Sequence, residues 1–377
     1  MIRTISLTAL LLASVLSCSK PAASALGGWE IIDGPDTPLT PGKDDPENPS
    51  DPTDTTGRKP WFRTIGLCFR WDDCKYAEMI DYLAIAKKSG INCFSVYNPP
   101  RESKDWKDFE SECMASGIDI EWEEHMMSYL IPRDYFEKHP EYYRMDRSGA
   151  RVADCNGCAS NPEVLGIIKN RAEFIAKQYK STNNKYYCWL DDNSDVCYCD
   201  KCKDLSPSDQ ALIFENATLE GLRRVNPDAT LSHLAYQRTL PAPTKVEPAE
   251  GIFLEFAPVN RNKYLPLSTT WAECSDGHQH KDYLNYLRDN LKVFPAETAQ
   301  VLEYWLDASF FSAYDERNLK EVYWSRNMFL DDLKTYSYYG IKDIVTFSFW
   351  VGPDYVRKFG YPDFLEDYGK TMSEFVK

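Results

Sequence analysis

Eight short runs of β-type residues recur along the chain, most of them separated by stretches with helical periodicity. That alternation restricts the fold to a parallel sheet covered by helices. The runs are Thr64 to Phe69, Ile91 to Tyr97, Asp119 to His125, Tyr186 to Asp192, Thr230 to Tyr236, Ile252 to Pro258, Gln300 to Leu306 and Asp343 to Trp350. Eight is the number of strands that closes a (β/α)8 barrel of the TIM type. Helices are expected over Tyr76 to Lys88, stopping at Gly90, and from the caps Asn161-Pro162 and Ser206-Pro207 to about Tyr179 and Val225. Further helices are expected over Lys281 to Leu291, Glu316 to Tyr339 and Phe364 to Val376. Between the fifth and sixth runs, Gln237 to Gly251 is proline-rich and lacks a helical pattern, so the barrel is expected to be irregular there. A doubly wound sheet has the same alternation; closure is therefore argued from the strand count and from the chemistry at the strand ends.

The first 58 residues read differently. Arg3, an apolar run from Ile5 to Leu16, and Ser17-Cys18 have the layout of an export signal, 1–18, too short to span a bilayer. A cysteine directly after Val15-Leu16-Ser17 resembles the lipobox of bacterial lipoproteins, which makes Cys18 the expected lipid attachment site; the alternative is an ordinary signal peptide. Residues 19–58 interleave Pro21, Pro35, Pro38, Pro41, Pro46, Pro49 and Pro52 with Asp, Gly, Ser and Thr, and cannot bury enough apolar surface to offset their ordering entropy. They are expected to form a disordered tether that, at about 3.1 Å per residue, reaches on the order of 100 Å. Residues 59–377 are then a single large domain, expected to be monomeric and displayed on the bacterial outer membrane, at the cell surface or in the periplasm.

A formal net charge of −15 argues against nucleic acid, and against an anionic membrane other than through the lipid. The aromatic fraction of 14% is high, and aromatic rings that do not serve the core can stack on the flat C–H faces of sugars.

In a barrel of this kind the residues at the C-terminal ends of the strands converge on one face. Those ends carry Arg70, Trp71 and Asp72; Tyr97 and Asn98; Glu123, Glu124 and His125; Asp191, Asp192 and Asn193; Tyr236 and Gln237; Glu255; Glu303, Trp305 and Asp307; and Ser348 and Trp350. Carboxylates and aromatics dominate, whereas phosphate loops, His-x-x-x-His and Gly-x-Ser-x-Gly are absent from the sequence. No cofactor is expected. Glycoside hydrolysis needs one carboxyl group to protonate the leaving oxygen and a second to stabilise or attack the anomeric carbon. Asp191 and Asp192 end an apolar strand abruptly, and Glu303 interrupts another, where an acid should be retained only if it is paired or used. Asp192 is accordingly expected as general acid with a raised pKa, Asp191 as its partner, and Glu303 as the acid across the barrel. Arg70, Trp71, Tyr97, Glu124, His125, Asn193, Tyr236, Glu255, Trp305 and Trp350 are expected to contact the saccharide, with Glu255 and Glu303 alternatively serving as structural partners of Arg70 or Arg261.

Cys197, Cys199 and Cys202 form C-x-C-x-x-C just after the Asp191-Asp192 strand end, and Cys155-x-x-Cys158 lies one helix upstream. Disulfides are the default in an exported protein, converging thiolates would make a structural zinc site, and free buried thiols are the third alternative. Each would pin the loop leaving the fourth strand.

The stretch Pro132 to Tyr143, then Gly149-Ala150-Arg151 and Cys158-Ala159-Ser160-Asn161-Pro162-Glu163-Val164, resembles the domain of unknown function 4838 family. Asp192-Asn193 followed by Cys197 to Cys202, and Leu234-Ala235-Tyr236-Gln237 with Pro241 and Pro243, match it as well, so that the resemblance covers roughly residues 120–270. It implies a barrel related to glycoside hydrolases, from exported proteins of glycan-degrading bacteria. The Asp191-Asp192 pair is also similar to the Asp-Asp of retaining N-acetylhexosaminidases, which would make Asp191 the residue orienting the acetamido group and Asp192 the acid. The expectation is a glycosidase with a carbohydrate substrate; the alternatives are a non-catalytic surface glycan-binding lipoprotein on the same barrel and a structural module covered by another protein.

Overall fold

A computed structural model describes residues 59–179, 181–192 and 195–377; Cys18, the tether and Asn193 lie outside the described residues. Nine parallel strands follow one another around the barrel: β1 (Thr64–Arg70), β2 (Cys93–Tyr97), β3 (Asp119–Glu121), β4 (Glu123–His125), β5 (Lys185–Trp189), β6 (Thr230–Ala235), β7 (Ile252–Phe256), β8 (Gln300–Glu303) and β9 (Asp343–Phe347). The ninth strand arises because the expected third run is interrupted at Trp122. Its first half pairs with β2, Cys93 opposite Asp119, and its second half with β5, Glu123 opposite Tyr187. β1 pairs with β9, so eight staves, the third in two pieces, close the (β/α)8 barrel. The strands are buried on both faces, as a parallel sheet between lumen and helices requires.

The helices begin and end where local chemistry dictates. α1 (Tyr82–Ser89) starts where Asp81 accepts the Ala84 amide at 2.9 Å, later than Tyr76, and stops at Gly90, whose φ of 84° is left-handed. α2 (Lys104–Ala115), not among the expected helices, is capped by Ser103, whose hydroxyl accepts the Trp106 amide at 3.1 Å. α3 (Pro162–Gln178) and α4 (Pro207–Arg223) carry the expected Asn161 and Ser206 caps with proline at the first position. They pack closely at Gly221, where a Cβ would stand 2.2 Å from the Lys169 carbonyl oxygen. α5 (His280–Asn290) forms as expected. The helix expected over Glu316 to Tyr339 is instead a single turn at Glu316–Asn318 followed by irregular chain and α6 (Arg326–Tyr338), because Ser325 caps the Met328 amide and restarts the helix. α7 (Pro353–Phe359) and α8 (Phe364–Glu374) complete the outer layer. No helix covers Gln237 to Gly251 beyond one turn at Gln237–Thr239. Asp209, at the start of α4, instead accepts the amides of Thr244, Lys245 and Val246 at 2.7–3.0 Å and fixes that segment. No helix among the described residues is long and apolar enough to cross a membrane.

In the lumen a column of polar side chains runs among aromatic and aliphatic ones such as Phe253, Leu302 and Val345. At its N-terminal end Lys185 lies 3.5 Å from Asp343 and 3.8 Å from Glu121, and Arg63 donates to Asp343 at 2.9 Å. Burial works against the Asp343 charge, but Arg63 and Lys185 outweigh it and hold its pKa below the usual value. One layer up, Gln300 accepts from Lys185 and from the Tyr187 hydroxyl, each at 3.0 Å, and donates to Glu123 at 3.1 Å. Above that, the Trp189 indole donates to Glu255 at 2.7 Å. Burial pushes Glu255 up to about 8, and Glu123 well above its usual range through burial and then through Glu255 and Glu121. Glu255 is thus largely protonated in the fold at pH 7 and releases its proton on unfolding. Stability from it is complete below the ordinary carboxyl pKa and is lost as pH rises through about 8. We expect the unfolding free energy to fall between roughly pH 5 and 8, by up to about 1.4 kcal/mol per pH unit for each proton, and Glu255→Gln to flatten that slope in urea titrations. An unchanged slope would show that Glu255 holds no proton.

Candidate functional site

The C-terminal ends of the staves form the barrel mouth, and three backbone outliers mark its rim. Asn98, Gln237 and Trp350 have φ of 52°, 48° and 63°, and each directly follows or lies close after a strand. Non-glycine residues hold such conformations only where their surroundings impose them, and they concentrate at functional sites. Trp350 is held by its amide, which donates to Asp73 at 3.2 Å; Asp73 also takes both Nε and NH2 of Arg70 at 3.0 and 2.9 Å. This Arg70-Asp73-Trp350 junction borders a cleft of about 440 Å³, lined also by Tyr76, Glu316 and Lys358.

The inner wall of the mouth is aromatic. Tyr97 meets Phe349 at 5.0 Å, Phe349 meets Phe347 at 5.0 Å, and Tyr304 stacks on Phe347 at 5.0 Å. Trp189 stands 5.3 Å from the His125 ring. His125 Nδ1 donates to the Leu190 carbonyl oxygen, and its Nε2 lies 3.8 Å from Asp192. The Tyr236 hydroxyl donates to Asp192 at 3.0 Å, and burial together with that neighbour raises the Tyr236 pKa. Asp192 itself has a side chain 67% exposed, so the apolar strand expected to desolvate it does not enclose it. Glu124 is more enclosed: burial raises its pKa against the opposing pull of Arg101, which lies 3.7 Å away.

Two of the three acids expected to act are committed elsewhere. Asp191 is bound to the Arg133 guanidinium, and its carboxylate accepts the Asn156 amide at 2.6 Å. Glu303 is on the wrong face of its strand. Side chains alternate, so Gln300 and Leu302 enter the lumen while Glu303 and Trp305 face the helices. Glu303 is 1% exposed, 3.3 Å from Arg261, and accepts the Tyr336 hydroxyl of α6. Arg261 also binds Asp332 at 2.5 Å. Burial raises the Glu303 pKa, with Arg261 opposing it. The adjoining cavity is about 10 Å³, room for a water at most. Trp305 packs against Phe329 at 4.8 Å and donates to Asp332 at 2.9 Å, and Glu255 is buried in the lumen, so neither can touch a saccharide. Trp71 packs edge-on against Trp106 and Phe109 in the helical layer. Arg70, Tyr97, His125, Tyr236 and Trp350 do lie at the mouth or its bordering cleft, whereas Glu124, next to the lumen-facing Glu123, turns to Arg101, which lies over the Trp122 and Tyr179 rings of the helical layer.

Asp307, one of the strand-end acids, occupies a more favourable position than Glu303. Three hydrogen bonds converge on its Oδ1, from Ser309 N at 2.9 Å, Ser309 Oγ at 2.6 Å and Phe310 N at 3.2 Å, and no described residue donates to Oδ2. Burial pushes it up to about 6. Burial raises the Tyr304 pKa, and Tyr236 and Asp307 add to that shift. The sequence signal was present, in a carboxylate just beyond the seventh run. Lys263, by contrast, sits over the Phe310 ring at 4.3 Å and comes from a loop with no periodic signal.

Beside the mouth, Cys158, Cys197, Cys199 and Cys202 come together, all four buried, while Cys155 turns away toward the Asp195 carbonyl at 3.7 Å.

Residues 77–321 match the family described as Domain of unknown function (DUF4838). The chain belongs to that family. No curated protein is similar enough in sequence to match it. Solved structures similar to this DUF4838 chain include a β-galactosidase from the psychrophilic Marinomonas ef1, with a TM-score of 0.48 and 11% identity over 83% of this chain and 59% of that one. A glycoside hydrolase family 5 enzyme from Prevotella bryantii gives 0.43 and 12% over 82% and 96% of the two chains. An endoglucanase catalytic domain from Thermobifida fusca gives 0.39 and 11% over 83% and 87%.

The geometry makes Glu303 a structural residue. Arg261→Met should cost about 3–5 kcal/mol in urea unfolding by stranding Glu303 and Asp332, and Glu303→Gln should lower stability as well. Parent-level stability in both variants would overturn that role.

Proposed function

We propose that this chain takes a saccharide into the barrel mouth and hydrolyses a glycosidic bond there, with Asp307 and Asp192 as its carboxyl pair. The observation that carries the reading is the Asp192 carboxylate, solvent-facing and held by the Tyr236 hydroxyl beside His125, on a mouth walled by Tyr97, Tyr304 and Phe349. Asp307, pushed up to about 6, would protonate the departing oxygen, and Asp192 would stabilise or attack the anomeric carbon, directly or through water. The rings supply apolar faces for sugar stacking.

Asparagine is a good helix cap, so Asp307→Asn removes the acid while keeping the turn at Ser309. In a screen of the purified chain against chromogenic glycosides and polysaccharides, Asp192→Asn and Asp307→Asn should each lower kcat/KM by about 100-fold or more, with binding retained in calorimetry. Because the acid must be protonated, parent kcat/KM should fall as pH rises through about 6, and that limb should be missing from Asp307→Asn. Binding without turnover in the parent would favour the second reading, a glycan-binding protein on the same barrel, which gains support from the neutralisation of Asp191 by Arg133 and Glu303 by Arg261.

Outer-membrane display is part of the same proposal and rests on residues 1–58. Cys18→Ala should abolish lipid labelling and move the protein from the membrane fraction to the soluble one; a membrane-bound Cys18→Ala chain would refute the anchor.

A further inference from the structure

The four-cysteine cluster is independent of any reading of the mouth. Its sulfurs lie within 4.8 Å of one another, with Cys158 Sγ 3.7 Å from Cys197 Sγ and 3.8 Å from Cys199 Sγ. In a tetrahedral zinc tetrathiolate, zinc–sulfur bonds of about 2.3 Å set sulfur–sulfur edges near 3.8 Å, whereas a disulfide needs about 2.05 Å. Cys158 thus has two sulfur neighbours at the tetrahedral edge length, a spacing that no pairwise bond would produce.

The surroundings have the features of a metal site. The Met145 amide donates to Cys197 Sγ at 3.3 Å and Arg151 NH1 approaches it at 3.7 Å. Donors of this kind stabilise thiolates and orient them, and the guanidinium offsets the net negative charge of a tetrathiolate centre. Cys199-x-x-Cys202 has the spacing of a chelating pair, and its turn is closed by the Cys202 and Lys203 amides, both donating to the Cys199 carbonyl at 2.9 Å. Gln210 of α4 supports the same loop, accepting the Cys197 amide at 3.0 Å and donating to the Cys197 and Cys202 carbonyls at 3.0 and 3.1 Å. The segments being joined hold little regular structure. Between Ile131 and Asn161 the chain forms two single-turn helices, Arg133–Glu137 and Pro140–Tyr142, and one isolated bridge between Met145 and Arg151, and residues 195–205 contain no helix or strand. A metal bound between such segments would add its binding free energy to folding.

We propose that Cys158, Cys197, Cys199 and Cys202 bind one zinc ion as a structural centre. Binding replaces four thiol protons by one divalent cation and ties the loop after β5 to the segment before α3. That loop carries Asp192, and also Asp195, which binds Arg144 at 2.8 Å and Arg238 at 2.9 Å. The ion would therefore fix the geometry at the rim without touching substrate.

The full chain, purified without chelator, should contain zinc on the order of one ion per chain by elemental analysis. Its four cluster thiols should become titratable only after chelation under denaturing conditions. Cobalt exchanged into the site should give the thiolate charge-transfer and intense visible bands of tetrahedral coordination. Cys199→Ser and Cys158→Ser should lose the metal and the cobalt spectrum, whereas Cys155→Ser should keep both. Should a cluster variant fail to fold, the cobalt spectrum of the parent still decides. Metal-free parent protein with the four sulfurs in two disulfides, or freely titratable without chelator, would overturn the proposal, as would loss of metal in Cys155→Ser alone.

Discussion

The barrel depends on a column of buried polar groups running up its axis. Lys185 bridges Asp343 and Glu121, Gln300 links Lys185 and Tyr187 to Glu123, and Glu255 receives the Trp189 indole. An unpaired charge there would cost several kcal/mol, so each member is tolerable only because its neighbours stand opposite it. The column consequently fixes register as well as stability. Sliding β5 by one residue would send Lys185, Tyr187 and Trp189 out to the helices and strand their partners in the lumen.

The same parity governs the mouth. β8 delivers Gln300, Leu302 and Tyr304 inward, and therefore must deliver Glu303 and Trp305 outward, where Arg261, Asp332 and Tyr336 are waiting. An acid inside an apolar strand has two ways to be retained, and here the salt-bridged one operates. What remains at the mouth is a tyrosine-rich wall with Asp192 exposed on one side and Asp307 buried beneath the turn it caps. The two carboxyl groups differ in solvation, which is the condition for dividing acid and base roles between them.

The loops beside the rim are fixed by contacts distant in sequence. Arg133 and Asn156 clamp Asp191, Arg144 and Arg238 clamp Asp195, and the cysteine cluster closes the segment between them. Much of the acidic character visible at the end of β5 is therefore spent on holding a long irregular connection in place.

The sequence alone determined the barrel and much of its composition. Strand periodicity, the count of eight runs and caps such as Asn161 and Ser206 are local signals, legible because side-chain alternation and helix termini depend on near neighbours. The family was likewise readable from its cysteine and proline patterns, and the missing helix after β6 from proline content. Only the tertiary structure decided which acids face the lumen, the mouth or the helices. Glu255, Glu303, Asp191 and Asp307 look alike in sequence, but the partners that distinguish them are Trp189, Arg261, Arg133 and Ser309, three of them dozens of residues away. Nor could spacing select Cys158 over Cys155, because that choice depends on how two loops meet in space.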